Sequence, residues 1–263
     1  MIRVAITGTG QMARIVLATV EAQPDLDPVG LVEPTGVTTD QFQGDSGAVY
    51  PLSDDPAALF ASVHPDVVVD FTNAAFTARL VEAALAHGVR PVIGTSGVDA
   101  ATVERLRAGS AEAKRGAVVA ANFAIGAILE MHMAVLASRF FDSAEIIELH
   151  HDRKVDSPSG TALTTAHMMR DARGRDFDSN VPDLLHIEGT RGGAIGGIPI
   201  HSIRLSGFVA SQEVIFGGTG QTLTIRHDST GRDSFMPGVL IAVREVVNRD
   251  TLVEGLASLV GLG

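Results

Sequence analysis

Short apolar runs and apolar-periodic stretches alternate through the first half of the chain. Ile2–Thr7 is a β-prone run that ends in Gly8-Thr9-Gly10-Gln11-Met12-Ala13, and Ile15–Glu21 follows with helical periodicity. A second apolar run, Pro28–Val32, ends at Glu33. Asp66–Phe71 is largely apolar, as a strand buried on both faces should be. Ala74–His87 reads as a helix closed by Gly88, and Pro91–Ile93 as the next strand. Thr102–Arg115 reads as a helix that Gly116 stops, and Ala117–Ala121 as a strand after it. This alternation predicts βαβ units and a doubly wound parallel sheet.

The second half has a different pattern. Ala124–Phe140 reads as one long helix, Glu145–His151 as a strand and Thr161–Ala172 as a further helix. Residues 173–184 are polar and read as loop. Leu185–Asp228 is β-rich and punctuated by turn glycines, with Glu213–Phe216 pairing with Thr222–His227 across Gly217–Gln221. Phe235–Asn248 is helical again. The expected class is α/β: a Rossmann-type doubly wound parallel sheet plus a second α+β domain with a mixed, mostly antiparallel sheet. The expected boundaries are 1–121 for the first domain and 122–233 for the second. A C-terminal helix, 234–263, is expected to pack back on the first.

Ligands of doubly wound sheets bind beyond the carboxyl ends of the strands. The loops Gly8–Ala13, Phe71–Asn73, Gly94–Gly97 and Ala121–Phe123 all fall there. Strand, glycine turn and helix form the context of a dinucleotide fingerprint. Gly8 permits the tight turn, Gly10 lets backbone approach a pyrophosphate, and Ala13 keeps helix and strand close. Glu33, at a strand end, can accept hydrogen bonds from ribose hydroxyls and would repel a 2′-phosphate. Pro34 follows it where a base could have favoured NADP. NADH is therefore the expected cofactor, with NADPH left open.

The densest chemistry is His150-His151-Asp152-Arg153-Lys154-Val155-Asp156-Ser157-Pro158-Ser159-Gly160-Thr161. Histidine exchanges a proton near neutral pH. Lys154 lies among His150, His151 and Arg153, and like charge favours its losing a proton. The chain has 20 Lys+Arg, of which only Lys114 and Lys154 are lysine, and arginine cannot be tuned in this way. Ser159-Gly160-Thr161 offers cap hydroxyls and free backbone N–H groups, suited to a carboxylate. The plainer alternative is a solvated cationic loop capped by Ser159. No third ligand accompanies the two histidines and Asp152, so no metal is expected.

Composition narrows the classes. The 263 residues carry a net charge of −11, which speaks against a nucleic-acid partner. Cysteine is absent, which excludes disulfides, thiolate metal sites and thiol nucleophiles. No apolar run has the length of a membrane span, and the first residues lack a signal-peptide pattern, so a cytoplasmic protein is expected.

Glu145–Leu163, with its His-His-x-x-Lys and Pro-Ser-Gly-Thr runs, resembles the signature of the 4-hydroxy-tetrahydrodipicolinate reductases (dihydrodipicolinate reductases). Asp70-Phe71-Thr72, Gly94-Thr95-Ser96-Gly97, Ala120–Gly126 and Phe235-Met236-Pro237-Gly238 extend the resemblance along the chain. It implies NAD(P)H-dependent reduction of a cyclic unsaturated dicarboxylate in lysine and diaminopimelate synthesis. It makes His150 and Lys154 the catalytic candidates. His151, Lys154, Ser159, Gly160 and Thr161 would hold the substrate. Gly8, Thr9, Gly10, Gln11, Met12, Glu33, Phe71, Thr72, Gly94, Thr95, Ser96, Ala120, Ala121, Asn122 and Phe123 would hold the cofactor. It also implies a homo-oligomer, a tetramer formed through the sheets of the second domain. The chain departs from the family pattern in a glycine loop one residue shorter, in Gln11 where a base is common, and in Asp152-Arg153. A reductase of a different cyclic imine or enone, and a non-catalytic dinucleotide-binding protein, are the alternatives these departures leave.

Overall fold

The computed structural model describes residues 1–262. Position 263, the last of the predicted C-terminal segment, lies outside them. The chain forms two compact units: Met1–Phe123 joined by the chain from Phe235 onward, and Ala124–Ser234.

The first unit begins β1 (Ile2–Thr7), α1 (Gln11–Glu21), β2 (Leu26–Val32), β3 (Gln41–Gln43), β4 (Val49–Ser53), α2 (Pro56–Val63) and β5 (Val67–Asp70). It continues with α3 (Ala74–His87), β6 (Arg90–Ile93), α4 (Ala100–Ala113) and β7 (Ala117–Val119). The second unit holds α5 (Ile125–Ala137), β8 (Ser143–His150), α6 (Gly160–Arg173), β9 (Gly193–Ile195), β10 (Ile198–Arg204), β11 (Ala210–Gly218) and β12 (Gln221–Ser229). The chain then returns to the first unit as α7 (Met236–Val246) and β13 (Leu252–Glu254).

The first sheet runs β13-β7-β6-β5-β1-β2-β4-β3, parallel except for the β3–β4 pair. Val4–Ile6 and Val67–Val69 are fully buried because helices cover both faces of the central strands. α1 buries Ala13, Val16, Leu17 and Val20, the spacing of one helical stripe. Side chains of Asn73 and Asp99 cap α3 and α4, accepting from the Phe76 and Thr102 amides. Gly116, expected to stop α4, does something else: α4 ends at Lys114 in the left-handed region. A Cβ on Gly116 would lie 2.4 Å from the Val246 carbonyl, so this glycine lets the end of α7 pack close.

Four elements of this unit were not legible. β3 is a short edge strand with Phe42 as its one buried residue, and β4, between β2 and β3, is short and has no fully buried residue. α2 is eight residues long and almost wholly apolar, so it shows no periodic face. Its capping Asp55 and the Pro56 that follows were readable start signals. Beyond α7 the C-terminal segment is not continuous helix, since β13 pairs in parallel with β7.

The second sheet has the order β12-β11-β8-β10-β9, with β8 and β10 parallel and the other pairs antiparallel. Ile146, Ile198, Ile200, Val214 and Phe216 face α5 and α6. Ala134, Ala137, Ala162 and Ala166 let those helices lie close. The expected 124–140 helix is shorter, ending at Ala137. β11 and β12 join through a two-residue turn, where Gly220 takes φ +72°. Among the described residues no helix is long and apolar enough to cross a membrane.

Candidate active site

The carboxyl edge of the first sheet is organised by Asp70, at the end of β5. Its carboxylate is fully buried. One oxygen accepts from the hydroxyls of Thr7 (2.6 Å) and Thr72 (2.7 Å) and from the Thr72 amide (3.2 Å). The other accepts from the hydroxyls of Thr77 (2.5 Å) and Thr95 (3.0 Å). Five donors on one acid tie β1, the loop after β5, α3 and the loop after β6 into one rigid rim. Thr72 and Thr95, expected at the cofactor, stand on this rim with their hydroxyls bonded to Asp70, and Thr95 is buried.

The glycine turn has the shape its sequence suggested. Gly8 takes φ +83°, and a Cβ there would lie 3.7 Å from both Ala13 and Thr72. Gly10 precedes α1 with nothing within 4 Å of its missing Cβ, so ligand atoms can reach the backbone there. Glu33 follows β2. It accepts from the Thr9 hydroxyl at 2.7 Å, and its other oxygen takes the Thr35 hydroxyl (2.8 Å) and amide (3.1 Å). Burial pushes its pKa up, but the Thr9 and Thr35 hydrogen bonds outweigh that and hold it below the usual carboxylate range. Gly94 has no room for a side chain, since a Cβ would sit 2.1 Å from the Phe71 ring. Phe71 in turn meets Phe123 edge-on, with centroids 5.2 Å apart. Met12 and Asn122 are half-buried, Ala120 is buried, and Gln11, Ser96 and Ala121 are exposed.

In the second unit, His150 ends β8. Its Nδ1 lies 2.5 Å from Glu148, two residues earlier on the same face of the strand. Arg204 pairs in register with His150 from β10 and grips Glu148 with both terminal nitrogens, at 2.8 and 2.9 Å. The Ser159 amide donates to the same carboxylate at 3.3 Å. Burial raises the Glu148 pKa, but His150 and Arg204 overcome it and bring it down to about 2. A permanent carboxylate fixes the proton on Nδ1 and leaves Nε2 as the working nitrogen. Arg204 also donates to the Asp156 carbonyl at 2.7 Å, anchoring the loop that carries Lys154.

Lys154 donates to the Asp156 carboxylate at 2.7 Å. The cationic neighbours in the sequence are thus joined by an opposite charge at the amine. His151 is half-buried, with Nδ1 lacking a partner. Ser159 caps α6, its hydroxyl accepting from the Ala162 amide at 3.2 Å. The backbone N–H groups of Gly160 and Thr161 head the helix, outside its own ladder. Gly160 has nothing within 4 Å of a built Cβ. Asp152 is turned to Ser206 at 2.9 Å, and Arg153 is exposed.

Sequence reasoning gave no role to Asp70, Glu148, Asp156 or Arg204. Glu148 had a signal, since two positions along a strand share a face. Arg204 had none, lying 56 residues from the acid it holds.

A doubly wound sheet with a glycine turn, together with a carboxylate-held histidine, defines an NAD(P)H-dependent oxidoreductase of the Rossmann type. Family models for the N-terminus and the C-terminus of dihydrodipicolinate reductase match residues 2–123 and 115–260. The chain belongs to the dihydrodipicolinate reductase family. It is 46% identical to the 4-hydroxy-tetrahydrodipicolinate reductase of Geobacillus kaustophilus, over 97% of each chain. It is 44% identical to that of Dehalococcoides mccartyi, over 99% of each. Among solved structures it matches a dipicolinate-bound dihydrodipicolinate reductase from Paenisporosarcina sp. TG-14 with a TM-score of 0.86 and 38% identity, over 98% of this chain and 99% of that one.

Proposed function

We propose that this chain reduces 4-hydroxy-tetrahydrodipicolinate to tetrahydrodipicolinate with NAD(P)H, in lysine and diaminopimelate synthesis. The carrying observation is the Glu148–Arg204 clamp, which fixes His150 beside the N-terminus of α6. Gly160 and Thr161 take one substrate carboxylate on their backbone N–H groups, and the half-buried His151 adds a ring donor. Lys154 balances charge on the dianion and supplies a proton, with Asp156 holding its amine in place. His150 exchanges its proton through Nε2, and Glu148 stabilises the imidazolium form. The dipicolinate bound by the Paenisporosarcina enzyme is a ring dicarboxylate of the same chemical type.

The bare Gly10, the Gly8 turn and the fixed Glu33 suit a dinucleotide. Gly8–Met12, Glu33, Phe71, Gly94, Ser96 and Ala120–Phe123 would hold it, with Thr72 and Thr95 supporting the rim through Asp70. Once the 4-hydroxy ring has lost water, a bound cofactor would supply hydride to C4 of the unsaturated ring. Glu33 makes NADH the preferred form: it is a negative charge fixed by Thr9 and Thr35, and Pro34 provides no base for a 2′-phosphate. The same reading includes a cytoplasmic enzyme and a homotetramer built on the face of the second sheet that α5 and α6 leave open.

The test is turnover of freshly generated 4-hydroxy-tetrahydrodipicolinate with each cofactor, followed by loss of reduced-nicotinamide absorbance. Oxidation of NADH in preference to NADPH is expected. NADH binding without turnover would reject the substrate, and a panel of other cyclic imines and enones would then identify the true one.

A further inference from the structure

Asp70 does more than its hydrogen bonds require. Its side chain is fully buried, and every donor it meets is neutral: the hydroxyls of Thr7, Thr72, Thr77 and Thr95 and the Thr72 amide. Among the described residues it has no ion pair with a lysine, arginine or histidine. Thr7 and Thr77 each have a backbone carbonyl as a second acceptor, at 3.3 and 3.0 Å, but lie closer to Asp70, at 2.6 and 2.5 Å. The Thr72 amide and the Thr72 and Thr95 hydroxyls donate to Asp70 alone. Both carboxyl oxygens are thus filled with donors, and a proton on either would face one of them. The acid is held as an anion. Hydroxyl and amide dipoles solvate its charge without cancelling it, and with water excluded the charge is weakly screened.

A tie between strands does not call for that charge. Neutral acceptors would receive the same hydroxyls, and burying a carboxylate without a cation is costly.

The sheet order places the charge. Asp70 ends β5, which lies between β1 and β6, whereas Glu33 follows β2 on the other side of β1. A dinucleotide whose adenosine ribose meets Glu33, and whose pyrophosphate meets the turn after β1, must carry its second nucleotide across to the ends of β5 and β6. Thr72 and Thr95 stand in the loops after those two strands, and Asp70 sits directly behind their hydroxyls. The nicotinamide ring is the part of such a cofactor whose charge changes. Hydride leaves with both electrons, so a neutral reduced ring becomes a cation, while the adenosine and the phosphates are unaltered.

We propose that Asp70 is a fixed counter-charge for the nicotinamide ring, favouring its cationic, oxidised form and therefore the positive charge that develops as hydride departs. This rests on the reading that the carboxyl edge of the first sheet holds a dinucleotide. It differs from tying the rim, which serves both redox forms alike.

Calorimetric titration of the intact enzyme with NAD+, NADH and ADP-ribose separates the two roles. Asp70→Asn removes the charge and keeps an acceptor. It should weaken NAD+ about tenfold more than NADH, and ADP-ribose, which has no nicotinamide, should change by the same factor as NADH. Asp70→Ser, a hydroxyl among hydroxyls, carries the same comparison should Asp70→Asn not fold. Equal losses for all three ligands, up to complete loss, would leave Asp70 as a tie in the rim and overturn the counter-charge, as would an unchanged ratio of NAD+ to NADH affinity. These results would leave the dinucleotide reading standing. A wild type that binds none of the three ligands would refute that reading, and the counter-charge with it.

Discussion

At the scale of single residues, Glu148 has the strongest hold on the chemistry. It is fully buried, and it neutralises an arginine while fixing a histidine tautomer. Glu148→Gln should lower kcat by roughly a hundredfold, the usual size of a general acid–base contribution. It should also cost about 3–5 kcal/mol of stability, because Arg204 is left unpaired. Urea unfolding and steady-state kinetics measure the two effects separately. The pH sign follows from a folded pKa near 2, below the ordinary value of 4.5. The stabilisation is complete above the ordinary value and disappears as pH falls through the folded one. Its size is roughly 3 kcal/mol, so wild type should lose that much more than Glu148→Gln on acidification. Lys154→Ala should abolish turnover and leave NADH affinity, read by nucleotide fluorescence, unchanged. A large loss of NADH affinity would remove Lys154 from the substrate. Glu33→Ser should narrow the preference for NADH over NADPH by about tenfold, roughly 1.4 kcal/mol. An unchanged ratio would show that the Thr9- and Thr35-held carboxylate does not read the ribose.

At the scale of elements, the rim of the first sheet depends on close approach. Gly94→Ala places a methyl inside the Phe71 ring, and Phe71 cannot retreat without disturbing Phe123. A loss of about 1–3 kcal/mol and a raised KM for NADH are expected, measured by thermal unfolding and kinetics. The strands that build this rim were legible because burial on both faces writes them as unbroken apolar runs, as in Val67-Val68-Val69. The edge strand β3 was not, since an edge needs only one apolar anchor, here Phe42, and β4 beside it has only exposed and half-buried residues. The same contrast holds for the chemistry. The segment His150–Thr161 stood out because its polar residues are contiguous. The clamp behind it did not, because Arg204 reaches Glu148 only through the parallel register of β8 and β10. The bonds of Thr72 and Thr95 to Asp70 were not legible for a related reason. A threonine beside a ligand loop looks the same in sequence whether its hydroxyl faces outward or supports a buried acid such as Asp70.

At the scale of the whole molecule, the open face of the second sheet is the feature a single chain leaves unexplained. Alternation along the strands puts Ile146, Val214 and Ile200 under the helices, and therefore Ile147, Leu149, Ile203 and Ile215 on the opposite side. Polar groups on that side already pair within the chain: Glu145 with Arg191 and His201, and Glu213 with Arg226. Their charges are thus partly compensated before any partner arrives, and the isoleucines supply the apolar surface that association would bury. Ile203 is 39% exposed and pairs in register with Leu149 near the carboxyl ends of β10 and β8. Ile203→Glu places an unpaired charge there and leaves the helix-covered core untouched, so the monomer should keep its fold and circular dichroism. In the proposed tetramer the same charge would be buried several times over, and light scattering should find smaller species at concentrations where wild type is tetrameric. A variant that stays tetrameric would move the interface off this face, and a wild type that is itself monomeric would remove the tetramer altogether.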